Sequence, residues 1–130
     1  MIIDFHTHLF PEPICSGREC CCQSEPAFDM IYRSPKSRLV STPELLAAMD
    51  ANGVDRSVVF GFPWQDPDRY RGHNDFILEA VQRHPDRLVG FGCFDPSSRG
   101  AAQEAERCLR AGMAGIGELA FYRSGIDDEC

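Results

Sequence analysis

Apolar and polar positions alternate in blocks along the chain, and these blocks predict a repeating order of strands and helices. Strands are predicted over residues 1–9, Val54 to Gly61, Leu88 to Phe94 and Ala114 to Leu119. The β-branched and aromatic residues within these runs are typical of buried strands. Strand and helix alternating at intervals of about 30 residues is typical of βαβ units in a parallel sheet.

Three helices are predicted between the strands. In the first, Ser41 and Glu44 have the spacing of a capping box and Gly53 marks the end. The second covers about residues 71–84 and the third about residues 100–111. The packing side of the third helix is predicted to consist of its small and apolar residues, namely Ala102, Ala105, Cys108 and Leu109.

The segment between the first strand and the first helix has no clean hydrophobic period. Pro11 and Pro13 interrupt the backbone at its start, and residues 27–32 have the spacing of a short helix. We therefore expect a long first loop over about residues 10–41. Loops of this length are usually functional lids or disordered segments.

Length and charge narrow the function classes. The chain has 130 residues and a net charge of -7, so it is expected to form one domain, residues 1–130. The absence of a basic run argues against nucleic acid and anionic membranes as partners. No apolar stretch approaches the ~20 residues of a spanning helix, and no signal peptide is apparent, so the predicted location is cytoplasmic.

Seven cysteines raise the alternative of a disulfide-stapled secreted scaffold. The odd number and the three adjacent residues Cys20, Cys21 and Cys22 favour free thiols in a reducing compartment instead. The spacing of this cluster does not match that of structural zinc modules. Its role is left open.

The clearest candidate chemistry is the pair His6 and His8 at the end of the first strand. Side chains alternate along a strand, so Asp4, His6 and His8 are predicted to share one face. Two imidazoles in this geometry can reach one metal ion. The alternative is that both histidines are satisfied by backbone partners.

Glu118 is a candidate third ligand at the end of the fourth strand. In parallel α/β folds, functional groups gather at the C-terminal ends of the strands. Two histidines and a glutamate would match a catalytic zinc site with one open position for water. The alternative is an exposed glutamate that begins a loop.

Further residues follow the first two strands and could line a substrate pocket. Phe10, Phe62 and Trp64 would form its apolar wall, although each could equally be part of the core. Asn74 could reach the same site, or it could serve the start of the second helix.

The sheet could be an open doubly wound sheet, or it could close into an eight-stranded barrel, which needs ~250 residues. The acidic run from Ser124 to Glu129 has the pattern of a helix start. The chain is therefore expected to be a truncated piece of a longer design.

The run Ile2-Ile3-Asp4-Phe5-His6-Thr7-His8 resembles the opening of the amidohydrolase superfamily. Three more stretches are similar to its amidohydrolase-related branch, which includes decarboxylases of the aminocarboxymuconate-semialdehyde type. They are Leu45 to Trp64, Asn74 to Pro96, and Gly115 to Leu119. Together they cover nearly the whole chain outside residues 15–25.

The resemblance implies the first four strands of a TIM (β/α)8 barrel with one or two divalent metals, usually zinc. His6 and His8 would be first-strand ligands, and Glu118 matches a fourth-strand position that bridges metals in some members. Asp4 would orient one of the histidines through its other ring nitrogen. The family's ligands on later strands and its general-base aspartate have no counterpart here.

Three functions remain open on this basis. The first is a metal-dependent hydrolase, or a fragment of one, in which the metal activates water that attacks a C–N or C–O bond of a small-molecule substrate. The second is a non-oxidative decarboxylase. The third is a non-catalytic half-barrel that self-associates or pairs with another chain through its open sheet edges.

Overall fold

The computed structural model describes residues 1–120 and contains one four-stranded parallel sheet flanked by helices. The strands lie in the order β1-β2-β3-β4 and are β1 Ile3–His8, β2 Arg56–Phe60, β3 Leu88–Gly92 and β4 Gly115–Ile116. Parallel strands that lie side by side in the same order as in the chain are typical of the wall of a (β/α) barrel. The predicted helix start at 124–129 lies outside the described residues.

The three predicted long helices are present, and three shorter helices precede them. In chain order they are α1 Glu12–Ser16, α2 Arg18–Ser24, α3 Pro26–Tyr32, α4 Thr42–Asn52, α5 Pro67–Arg83 and α6 Ala101–Arg110. The apolar core between the sheet and α4–α6 contains Leu9, Met49, Val59, Ile77 and Leu88. This core fixes the strand ends that carry the candidate chemistry.

Helix α4 begins and ends as the sequence predicts. The carboxylate of Glu44 accepts a hydrogen bond from the backbone N–H of Ser41 at 2.9 Å, which completes the capping box. Gly53 adopts φ 66°, the left-handed conformation that favours glycine at a helix end.

The long first loop predicted over residues 10–41 contains three short helices: the one expected at 27–32 is confirmed as α3, whereas α1 and α2 were not predicted. Helices α1 and α2 contain five and seven residues, which is too short for a clear hydrophobic period. Tertiary contacts stabilise the segment instead. Phe28 packs against both Phe62 and Trp64, and the Arg18 guanidinium donates to the Tyr32 carbonyl oxygen.

The packing side predicted for α6 is also partly wrong. Ala102 and Leu109 are exposed, whereas Glu104 is buried on the same face as Cys108. A carboxylate is normally excluded from a packing face unless it is paired. Here Arg107 and Asn74 satisfy it, so the charged residue occupies the interior.

The cysteine cluster lies in α2 and does not form a metal group within residues 1–120. Arg69 donates a hydrogen bond to the Cys21 sulfur at 3.0 Å. Burial raises the pKa of the Cys21 and Cys22 thiols, so both are protonated at neutral pH.

Among residues 1–120, no helix combines the length and the apolar character needed to cross a lipid bilayer.

Candidate metal centre

Three potential metal ligands meet at the C-terminal ends of the two outermost strands. Nε2 of His6 and Nε2 of His8 lie 3.5 and 3.3 Å from Oε2 of Glu118. One donor atom from each residue lies within 4.8 Å of the others. β1 and β4 form the two edges of the sheet, with β2 and β3 between them. The side chains from these two edges nevertheless meet over one face of the sheet.

The pairing of β1 with β2 contains an irregularity just before these histidines. Asp4 lies opposite Ser57 and Thr7 opposite Val59, so β1 has one extra residue in this interval. The strict alternation predicted for β1 therefore fails in its middle. The His6 and His8 rings still lie close together, with centroids 5.2 Å apart.

His8 is held in the form that binds metals. Its Nδ1 lies 2.7 Å from the carbonyl oxygen of Gly61, which can only accept a hydrogen bond. Nδ1 therefore carries the proton, and Nε2 presents its lone pair toward Glu118. Burial also lowers the pKa of His8 below its ordinary 6.5, so the ring is neutral at pH 7.

His6 is less constrained than His8. Its side chain is 62% exposed, compared with 21% for His8. The His6 and His8 rings both form T-shaped contacts with Phe60, at centroid distances of 5.1 and 4.8 Å respectively.

Asp4 was predicted to orient His6 or His8 through a ring nitrogen; no such contact is present at His8, and the role at His6 stays a prediction. The Asp4 carboxylate accepts a hydrogen bond from the backbone N–H of His6 at 3.1 Å. The ring nitrogen of His8 that faces away from Glu118 is bonded to Gly61 instead. A main-chain carbonyl of this kind leaves no residue-type signal in the sequence.

A chain of hydrogen bonds supports the Glu118 side of the site. The Cys93 thiol donates to the Glu118 carbonyl oxygen at 3.3 Å, and the Cys93 N–H donates to Oδ1 of Asn74 at 2.9 Å. Nδ2 of Asn74 donates to Oε1 of Glu104 at 2.9 Å. Asn74 thus lies in the middle of α5 and joins β3 to α6, so it does not serve the helix start.

Glu104 is a buried carboxylate that no pattern in the sequence singles out. Burial would raise its pKa, but hydrogen bonds from Arg107 and Asn74 outweigh burial and hold the pKa below its usual range. Both Nε and Nη2 of Arg107 lie 2.8 Å from the carboxylate oxygens. This two-point contact keeps Glu104 ionised and fixed.

The other predicted pocket residues, Phe10, Phe62 and Trp64, are core residues in the structure. All three are buried and pack with Phe28 in one aromatic cluster beyond the strand ends. Helices α2 and α3 cover this cluster, which explains why the side chains are not open to solvent. A role in binding substrate stays a prediction for these residues.

Comparison with known proteins identifies the family. A family model described as amidohydrolase matches residues 3–127. The chain belongs to the amidohydrolase family. No protein with a curated description matches it significantly.

Several solved structures are similar to this amidohydrolase-family chain. A 5-carboxyvanillate decarboxylase from Novosphingobium aromaticivorans, complexed with manganese and a nitrobenzoic acid, has a TM-score of 0.69 at 22% identity over 89% of this chain. A dihydroxybenzoic acid decarboxylase from a Polaromonas species, with bound manganese and 2-nitroresorcinol, has 0.58 at 21% over 88%. A 4-oxalomesaconate hydratase from Rhodopseudomonas palustris has 0.54 at 22% over 89%.

These likenesses show the fold. The parallel (β/α) units predicted from the sequence are confirmed as part of a TIM-barrel architecture. The chain spans 40% of the Novosphingobium structure, 37% of the Polaromonas structure and 40% of the Rhodopseudomonas structure.

Proposed function

We propose that His6, His8 and Glu118 form part of the divalent metal centre of an amidohydrolase-family hydrolase or decarboxylase. The convergence of two imidazole nitrogens and one carboxylate within 4.8 Å carries this proposal. The donor set fits a divalent cation, because the Gly61 carbonyl leaves Nε2 of His8 free to coordinate. We further propose that residues 1–130 correspond to the N-terminal half of the barrel.

The identity of the metal is a separate part of the proposal. Two histidines and a carboxylate suit zinc, which we predict from the sequence. The similar Novosphingobium and Polaromonas decarboxylases carry manganese, so manganese is the alternative. Parallel titrations with Zn²⁺ and Mn²⁺ at equal ionic strength would rank the two.

In the proposed site each residue of this chain has a distinct task. His8 and His6 supply nitrogen ligands, Glu118 supplies a carboxylate, and Gly61 fixes the orientation of the His8 ring. A bound divalent metal supplies Lewis acidity, which can activate water for hydrolysis or polarise a small carboxylic acid for loss of carbon dioxide.

The metal proposal is tested by metal content. We expect the purified chain to retain zinc after dialysis, and His8→Ala to lose it because its most constrained ligand is removed. His84→Ala is the matched control, since His84 lies at the end of α5, outside the described ligand group. A metal-free wild-type chain, or equal losses in both variants, would overturn the proposal.

Decarboxylation is the favoured reaction of the complete enzyme, and hydrolysis is the alternative. Its support is that the Novosphingobium and Polaromonas structures are decarboxylases bound to benzoic-acid or resorcinol compounds. Carbon dioxide release from a panel of hydroxybenzoates, measured on the metal-loaded protein, tests it. Release that disappears in His8→Ala supports decarboxylation, whereas cleavage of amide or ester substrates without carbon dioxide release supports hydrolysis.

A non-catalytic role is the remaining candidate, supported by the exposed edge of the sheet. Ile3 and Phe5 on the edge strand β1 are 42% and 69% exposed, which is an association surface on a strand with one unpaired edge. Such a chain would self-associate or pair with another chain. Light scattering would detect association, and Phe5→Lys should reduce it because a charged edge residue opposes strand pairing.

A further inference from the structure

His73 is a buried histidine that takes no part in the proposed ligand set. It lies on α5 and is only 3% exposed, between the aromatic cluster and the ends of β1 and β2. A buried imidazole needs a partner for each polar atom. The partners of His73 therefore indicate what it does.

Both ring nitrogens of His73 are occupied, and their partners fix its tautomer. Nε1 of Trp64 lies 2.9 Å from Nδ1 of His73, and an indole N–H can only donate. Nδ1 is therefore unprotonated, and Nε2 carries the hydrogen that is donated to the Leu9 carbonyl oxygen at 2.6 Å. Burial lowers the pKa of His73 to about 4, which keeps this neutral form at physiological pH.

The His73 ring contacts two backbone segments that position His8, one at the end of β1 and one at the end of β2. Leu9 follows His8 directly, so the hydrogen bond to its carbonyl fixes the exit of the chain from β1. At the end of β2, a Cβ placed on Gly61 would lie 2.8 Å from Cγ and Nδ1 of His73. Gly61 is the residue whose carbonyl holds the His8 ring.

We propose that His73 is a positioning residue for the metal centre, and that its ring clamps the ends of β1 and β2 so that the Gly61 carbonyl aims Nε2 of His8 at the metal. The proposal rests on the proposed metal function. On this proposal residue 61 is glycine because the His73 ring occupies the space that a side chain there would need.

The first test replaces the ring without removing its volume. His73→Phe keeps an aromatic ring but loses both hydrogen bonds, so His8 should lose its single tautomer and zinc affinity should fall about tenfold, the lower end for groups that orient ligands. Tyr70→Phe is the matched control. Tyr70 lies on the same helix, and the substitution removes one partly buried hydrogen bond, which Ser98 donates, without touching Gly61 or Leu9; the zinc affinity of this variant should not change.

Two readouts, zinc affinity and the tautomer of His8, separate failure of the clamp from failure of the metal proposal. Nitrogen-15 NMR of the metal-free protein reports the tautomer of His8 without any metal. A mixed tautomer in His73→Phe and a single one in Tyr70→Phe support the clamp. An unchanged single tautomer in both would overturn it, whether or not the wild type binds zinc.

A second variant pair covers the case in which His73→Phe does not fold. Gly61→Ala should weaken zinc binding in the wild type, because the added methyl collides with the His73 ring. In a His73→Ala background the collision is absent, so the same substitution should cost clearly less affinity. Equal losses of affinity in both backgrounds would contradict the clamp.

Discussion

The two sides of the candidate metal centre are held in different ways. On the β1 side, a six-residue strand leads into Leu9, and the ring of His8 is fixed by the Gly61 carbonyl. On the β4 side, Glu118 follows a strand of only two residues, Gly115–Ile116. Its backbone is tied to the sheet by the Cys93 thiol and, one residue earlier, by the bond from the Gly117 N–H to the Gly92 carbonyl oxygen.

The difference indicates where the site is preorganised. The β1 side is surrounded by buried aromatic rings and does not depend on a charged group. The β4 side depends on a polar chain that runs from Glu104 through Asn74 to Cys93. Changes on the β1 side should therefore act through packing and protonation, and changes on the β4 side through the loss of hydrogen bonds.

The largest expected effect is the pH dependence contributed by His73 on the β1 side. Its pKa is about 4 in the folded protein and 6.5 ordinarily, so the unfolded chain takes up the proton first. The free energy of unfolding is therefore complete above pH 6.5 and declines as the pH falls toward 4. A shift of this size corresponds to about 3 kcal/mol.

Urea unfolding at pH 7, 6 and 5 measures this decline, and His73→Phe provides the comparison. The variant should lose the part of the pH dependence that lies between 6.5 and 4. If the free energy of unfolding changed with pH by the same amount in the two proteins, His73 would not titrate as described.

Glu104→Ala should give the next largest effect, on the β4 side. Removing the carboxylate leaves Nδ2 of Asn74 without its acceptor, and Arg107 keeps only its exposed contacts with Asp75 and the Arg71 carbonyl. Breaking a buried pair costs about 3–5 kcal/mol, and the partial exposure of Arg107 reduces the expected loss of unfolding free energy to about 2 kcal/mol. Chemical denaturation measures it.

Glu106→Ala is the matched control on the same helix. Glu106 forms an exposed pair with Arg110, and such pairs contribute at most about 0.5 kcal/mol on a helix. Equal losses of stability in the two variants would contradict the supporting role given to Glu104.

Glu118→Gln should affect metal binding more than stability. The substitution keeps the shape of the side chain and removes the negative charge, so zinc affinity should fall roughly tenfold, or about 1.4 kcal/mol. Isothermal titration with zinc at pH 7 measures the change. An unchanged affinity would remove Glu118 from the ligand set and leave the β1 side alone.

Cys93→Ala should have the smallest effect on zinc binding. It removes one weak hydrogen bond to the Glu118 carbonyl, so zinc affinity should fall by about threefold, within the ~0.5–1.5 kcal/mol of a typical hydrogen bond. Cys21→Ala is the control, because Cys21 is also buried but its sulfur accepts a hydrogen bond from Arg69, outside the chain of hydrogen bonds that supports Glu118. A larger loss of affinity in the control would reverse the order of support described for this side.

The sequence predicted the parts of the molecule that depend on local pattern. The capping box at Ser41 and Glu44, the helix end at Gly53 and the apolar runs of the strands are all local signals. The structure confirms them, although the fourth strand is shorter than predicted and contains only Gly115–Ile116. Convergence of His6, His8 and Glu118 was predictable in outline, because the C-terminal ends of parallel strands face the same side of a sheet.

The remaining features depend on contacts between distant residues. Helices α1 and α2 exist because they pack on the aromatic cluster, and no period within five to seven residues reveals this. Glu104 lies in the interior because Arg107 and Asn74 meet it there. At His8 the partner of the outer ring nitrogen is the Gly61 carbonyl, which no residue pattern could indicate because main-chain atoms carry no residue identity.

X-ray absorption at the zinc edge of the zinc-loaded chain tests the central claim most directly. We predict only nitrogen and oxygen neighbours at about 2.0–2.2 Å, with the scattering pattern of two imidazole rings that is lost in His6→Ala combined with His8→Ala. Sulfur neighbours at about 2.3 Å would instead place the metal on the cysteines and would contradict a centre built from His6, His8 and Glu118.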